Sequence, residues 1–162
     1  MRYISYYNSP LGAITLSSDG NALVGLSFGK TEGNAHQEDD RLPVFVETKR
    51  WLDMYFSGKQ PYFTPKIAFE TGSDFAKSVW AILQKIEYGK TITYGEIARQ
   101  IAETRGVNAM MSAQAVGGAV GKNPIAIIVP CHRVIGANGN LVGYAGGLDK
   151  KTALLKIEKI ID

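Results

Sequence analysis

The sequence predicts an α+β chain in two parts: a small antiparallel β-sheet domain with one helix over residues 1–70, then a mostly helical winged helix-turn-helix domain over residues 71–162. Three observations predict it. Short runs rich in β-branched and aromatic residues, separated by turn formers, fill the start of the chain. From Thr71 onward the apolar residues recur at helical spacing instead. Charge divides the same way, with 9 Lys+Arg against 10 Asp+Glu in residues 1–87 but 8 against 3 in residues 88–156. An excess of this kind is the footprint of a module that sits on phosphates, although a solvated surface produces it too.

A chain of 162 residues, 45% hydrophobic and 20% charged, buries an ordinary core and excludes disorder. One cysteine excludes an internal disulfide framework. The start Met1-Arg2-Tyr3 has no signal peptide and no membrane-spanning run follows, so a reducing cytoplasm is the expected compartment. With only His36 and His132 beside that cysteine, no metal site is expected, nor any cofactor.

In order, Arg2–Tyr7, Ala13–Ser17 and Ala22–Phe28 read as strands, joined by Ser9-Pro10-Leu11-Gly12 and Ser18-Asp19-Gly20-Asn21 into a meander. Lys30–Asp40 is polar and aperiodic, a surface loop in which His36 does nothing catalytic. Val46–Phe56 reads as a helix with Gly58 as its left-handed cap, and Pro61 and Pro65 make an extended connector. A helix announced by Thr71-Gly72-Ser73-Asp74 carries the stripe Phe75, Val79, Ile82, Leu83, Ile86. A second opens on Thr93-Tyr94-Gly95-Glu96, a capping box, with Ile97, Ala98 and Ile101 inward. A third runs from about Asn108 to Val120 beyond a turn near Arg105-Gly106, the outline of helix-turn-helix.

That third helix is nearly all small: Ser112-Ala113-Gln114-Ala115-Val116-Gly117-Gly118-Ala119-Val120-Gly121. Mid-helix glycine costs about 1 kcal/mol relative to alanine, so a close approach must offset it. Tight helix–helix packing is one such approach; the other is a helix laid in the DNA minor groove, which is only about 6 Å wide. Ile125–Val129 reads as a short buried strand that Pro130 ends, so that Cys131 leaves the core. A thiol attacks as its thiolate, and the adjacent His132 and Arg133 favour that form. Val134–Ile135 and Leu141–Val142 flank an Asn138-Gly139 turn, a hairpin wing. Gly143–Leu148 forms a loop, and a last helix runs Asp149–Ile160.

Pro130-Cys131-His132-Arg133-Val134 followed by Gly143-Tyr144-Ala145-Gly146-Gly147 resembles the signature of the O6-alkylguanine-DNA alkyltransferases. Thr93–Ala98, Ala115–Ala119, Asn123-Pro124 and the closing Leu155–Glu158 match the family in order and spacing, and Ser9–Gly12 and Tyr55–Gly58 extend the likeness over nearly the whole chain. The resemblance implies a ribonuclease-H-like first domain and single-turnover repair. The damaged guanine is rotated out of duplex DNA and its O6 alkyl group passes to Cys131. His132 is then the base, acting through a water, and Glu158 holds its imidazole. Tyr94 donates to the guanine leaving group, and Asn123 braces the turn before the active-site segment. The implied DNA contacts are Ser112, Ala113, Gln114, Gly117, Gly118, Gly121, Lys122 and Arg133; Val134, Tyr144, Ala145 and Gly146 line the guanine pocket. Alkylated duplex DNA is the implied partner of a monomer found on the nucleoid, with cooperativity along DNA and repair of O4-alkylthymine both left open. Gln114 stands where many members carry an arginine, and Glu87 where a proline is common. Two other readings use the same residues: a winged-helix lesion binder that needs no nucleophile, and a cysteine hydrolase that turns over many times.

Overall fold

The computed structural model describes residues 2–30, 36–105 and 113–162. They form two compact units, Met1–Glu70 with Pro124–Ala126, and Thr71–Asn123 with Ile127–Asp162. In the first, β1 (Arg2–Ser9), β2 (Gly12–Ser18) and β3 (Leu23–Phe28) make the antiparallel meander. Ser9 Oγ receives the Leu11 N–H and Ser18 Oγ donates to the Ala22 carbonyl, so both turns are closed by their own hydroxyls. The face under α1 (Pro43–Phe56) buries Ile14, Leu16, Leu23 and Leu26, and α1 turns Phe45, Thr48, Leu52 and Tyr55 inward at helical spacing, while Ile4, paired with Ser17, is buried on the opposite face. Gly58 (φ +86°) ends α1: its N–H reaches the Tyr55 carbonyl and Lys59 N–H the Met54 carbonyl, the paired bonds of a Schellman cap.

The expected loop over Lys30–Asp40 is corrected in part. Its residues His36–Glu38 form β4, parallel to β1 at the sheet edge in the order β3-β2-β1-β4. A polar edge strand of three residues is too short to show an alternation that would betray it.

In the second unit, α2 (Asp74–Leu83) starts at Ser73, whose hydroxyl accepts the Ala76 N–H. Its buried face is Ala76, Val79, Trp80 and Leu83, a rotation away from the expected Phe75–Ile82–Ile86 stripe. Trp80 offers the largest apolar surface, and its indole N–H finds the Ala119 carbonyl at 2.9 Å. After β5 (Ile92–Thr93), α3 (Tyr94–Arg105) is capped by Thr93 Oγ1, which accepts the Glu96 N–H, and α4 spans Ala113–Gly121. The turn expected at Gly106 and the start of the third helix, Ser112 included, lie outside the described residues.

Three further expectations are corrected. Ile125–Val129 is not a strand: Ile125 makes a single bridge to Leu26, and the chain then turns through Ile127 at φ +69°. Such a backbone costs about 1–3 kcal/mol, but Ile127 is buried and stays there. The wing is not a hairpin either. Asn138 and Gly139 do adopt the left-handed turn expected of them, but β6 (Val134–Ile135) pairs in parallel with β5. The carbonyl of Val142, which a second arm would use, accepts from Lys151 and Tyr94 instead. The last helix, α5 (Leu148–Ile157), stops at Glu158 because Lys159 turns to φ +61°.

Candidate active site

Pro130 directs the chain out of the Ile125–Val129 turn into a single 3-10 turn, Cys131–Arg133, held by Arg133 N–H on the Pro130 carbonyl. Cys131 therefore does not leave the core: its residue is 6% exposed. Burial raises the thiol above its ordinary value. Against it work a hydrogen bond from the Asn123 side chain, the charge of Lys151, and the N–H groups of Cys131 and His132. Burial wins, so the resting sulfur carries its proton and needs a base.

The next residue, His132, has the chemistry of one. Its ring is fully buried, with Nε2 at 2.5 Å from Glu158 Oε2. A carboxylate only accepts, so Nε2 carries the hydrogen and Nδ1 the lone pair. The carboxylate's other oxygen takes Arg133 Nε at 2.8 Å and Gly89 N–H at 3.0 Å. Arg133 also donates to the Ile86 carbonyl and lies over the Tyr88 ring. Burial lowers the His132 pKa, and Arg133 partly offsets the pull of Glu158 in the other direction. The imidazole is neutral at neutral pH, ready to accept a proton, and Glu158 stands ready to stabilise the cation.

The Arg133 guanidinium, expected at DNA, is buried here and bonded to Glu158 and the Ile86 carbonyl. Lys151, which the sequence analysis passed over, is fully buried on α5 with Nζ donating to the carbonyls of Val134, Val142 and Gly143. Burial lowers its pKa while Cys131 raises it. A signal for it existed: Lys151, Leu154, Leu155 and Glu158 fall at i, i+3, i+4 and i+7, one buried face. Arg133 had no such signal beyond its place in the motif.

Around this centre, Asn123 Nδ2 donates to the Val129 carbonyl at 2.8 Å and ties the end of α4 to the residue before Pro130. Tyr94 Oη donates to the Val142 carbonyl at 3.1 Å. Burial, then the Cys131 charge, raises the pKa of both Tyr94 and Tyr144. Val134 is buried, Tyr144 and Gly146 are half-buried, and Ala145 is exposed. On α4, Val116, Ala119 and Val120 face inward, while Ala113, Gln114, Gly118, Gly121 and Lys122 are exposed. Gly117 lies against the Tyr94 ring, a Cβ there standing 3.8 Å from it. A cleft of about 620 Å³ opens between this helix and the start of α3, lined by Thr93, Tyr94, Gly95, Ala113, Gln114, Gly117 and Ala137. Among the described residues no three His, Cys, Asp or Glu side chains cluster as metal ligands, and no helix is long and apolar enough to cross a membrane.

Comparison with known proteins gives two family models: residues 2–69 match the ribonuclease-like domain and residues 74–160 the DNA binding domain of 6-O-methylguanine DNA methyltransferase. A Methanosarcina acetivorans methylated-DNA–protein-cysteine methyltransferase is 46% identical over 159 residues, covering 96% of this chain and 97% of its own. The Haemophilus influenzae protein of the same name is 38% identical over 161 residues, covering 98% and 87%. Among solved structures, Mycobacterium tuberculosis OGT in complex with DNA superposes with a TM-score of 0.84 at 43% identity, covering 97% of this chain and 92% of that one.

Proposed function

Because the chain belongs to the methylated-DNA–protein-cysteine methyltransferase family, a family of direct-reversal DNA repair proteins, we propose that Cys131 is the residue that receives the alkyl group from O6-alkylguanine in duplex DNA. The observation that carries this reading is the chain of contacts behind the sulfur: a buried thiol, a neutral buried imidazole on the next residue, and a carboxylate that Arg133 holds in place.

The Cys131 proton passes to His132 Nδ1 through a bridging water, and Glu158 stabilises the imidazolium. The sulfur attacks the alkyl carbon, forming the C–S bond as the carbon–O6 bond breaks. The electron pair stays on guanine, which takes a proton from Tyr94 or from water hydrogen-bonded to it. The His132 imidazolium then gives up its proton to solvent to restore the balance, so that the proton count of thiol and purine together is unchanged. The product is a thioether, which water does not displace, so each molecule acts once. Lys151 favours the transient thiolate and holds Val142–Gly143 beside Tyr94.

A thiolate cannot reach that carbon inside a duplex, so the base must be everted. The exposed small face of α4 fits the minor groove, with Ala113, Gln114, Gly117, Gly118, Gly121 and Lys122 at the DNA and Ser112 preceding them. Val134, Tyr144, Ala145 and Gly146 line the guanine pocket. Residues 71–162 then carry DNA binding and transfer, and residues 1–70 serve as a structural domain. The protein works as a monomer on DNA in a reducing cytoplasm. With a labelled O6-methylguanine duplex, Cys131→Ser should lose all transfer while duplex binding persists; transfer retained in that variant would end the assignment.

A further inference from the structure

Trp80 lies outside the reacting centre but is tied to the helix that meets DNA. Its indole is 1% exposed, and Nε1–H donates to the Ala119 carbonyl at 2.9 Å. Ala119 sits in the last turn of α4, where carbonyls have no i+4 partner within the helix. Its protein partner along the chain is the tighter bond from Lys122 N–H at 3.1 Å. Trp80 therefore caps the C-terminal end of α4 from the side. The ring is confined on another edge by Gly72 (φ +110°), where a Cβ would stand 2.6 Å from two ring carbons. Two residues past the end of α4, Asn123 hydrogen-bonds to the sulfur and to the Val129 carbonyl, so the end of the helix is tied directly to the thiol.

We infer that Trp80 is a positioning residue for alkyl transfer: its indole N–H sets where the end of α4 lies relative to Asn123 and Cys131, and so aligns a DNA-seated helix with the sulfur. The inference rests on Cys131 being the acceptor.

Trp80→Phe keeps an aromatic ring in the same packing and removes the donor. The first-order transfer rate at saturating O6-methylguanine duplex should fall about fivefold, the size of one buried hydrogen bond. Transfer from the free base O6-benzylguanine, which needs the pocket but not α4, should stay within about twofold of wild type by the same measure. Gly72→Ala, which displaces the ring while leaving its N–H intact, should show the same split. Equal losses with duplex and free base, with both variants, would mean that Trp80 only supports the fold. An unchanged duplex rate in Trp80→Phe would equally overturn the inference. Absence of transfer in the wild-type protein would instead overturn the Cys131 assignment.

Discussion

At Cys131, burial and nearby charge oppose each other, and the outcome decides the chemistry. Burial holds the thiol protonated and His132 neutral, so the two rest as a proton donor and a proton acceptor rather than as a standing ion pair. The pH dependence follows from the His132 direction. Its folded pKa lies below the ordinary 6.5, so the transfer rate should hold steady as pH falls past 6.5 and drop only in more acid solution. Stability should begin to fall sooner. Below about 6.5 the unfolded chain binds a proton that the folded ring refuses, and this loss continues until the pH passes the folded value. A rate that fell with a midpoint above 6.5 would contradict the neutral, buried base. Arg133 gives a second residue-scale outcome. Arg133→Met leaves the buried Glu158 without its cation, a loss of about 3–5 kcal/mol in urea denaturation. Duplex affinity should not change, whereas a phosphate contact would have weakened it.

At the scale of elements, α4 shows why a glycine-rich helix persists. A Cβ at Gly118 meets nothing within 4 Å among the described residues, so no contact among them demands glycine there. Gly118→Ala should therefore stabilise the free protein by up to about 1 kcal/mol. Gly118→Leu should weaken duplex binding about tenfold or more, because the bulk meets the groove floor, a loss of about 1.4 kcal/mol. Equal duplex affinity for wild type and Gly118→Leu would remove α4 from the minor groove.

Elements with a one-sided apolar pattern or a side-chain cap could be read from sequence: the meander, α1 with its Gly58 cap, and α3 with Thr93. Others had no readable signal. β4 is three polar residues made into a strand by pairing alone. Ile125–Val129 has the composition of a strand, but tertiary burial of Ile127 imposes a backbone that propensity argues against. The hairpin arm was lost to Lys151, whose three hydrogen bonds replace a ladder that composition could not show to be occupied. At the site, Pro130-Cys131-His132-Arg133 marked the location, while the burial of Cys131 and the turning inward of Arg133 are tertiary facts.

Across the whole molecule, the excess of Lys+Arg over Asp+Glu lies in residues 88–156, where acidic residues are few, and there Lys122 is exposed beside α4. Lys122→Ala should lower the slope of log affinity against log salt by about 1 and leave transfer from the free base untouched. The account's central claim is that one sulfur accepts one alkyl group and stops. Intact mass spectrometry of the protein titrated with an O6-methylguanine duplex tests it most directly. The account predicts a gain of one methyl group, mapped to Cys131, and repaired guanine that never exceeds one equivalent of protein. An unmodified Cys131, or several lesions repaired per molecule, would contradict it.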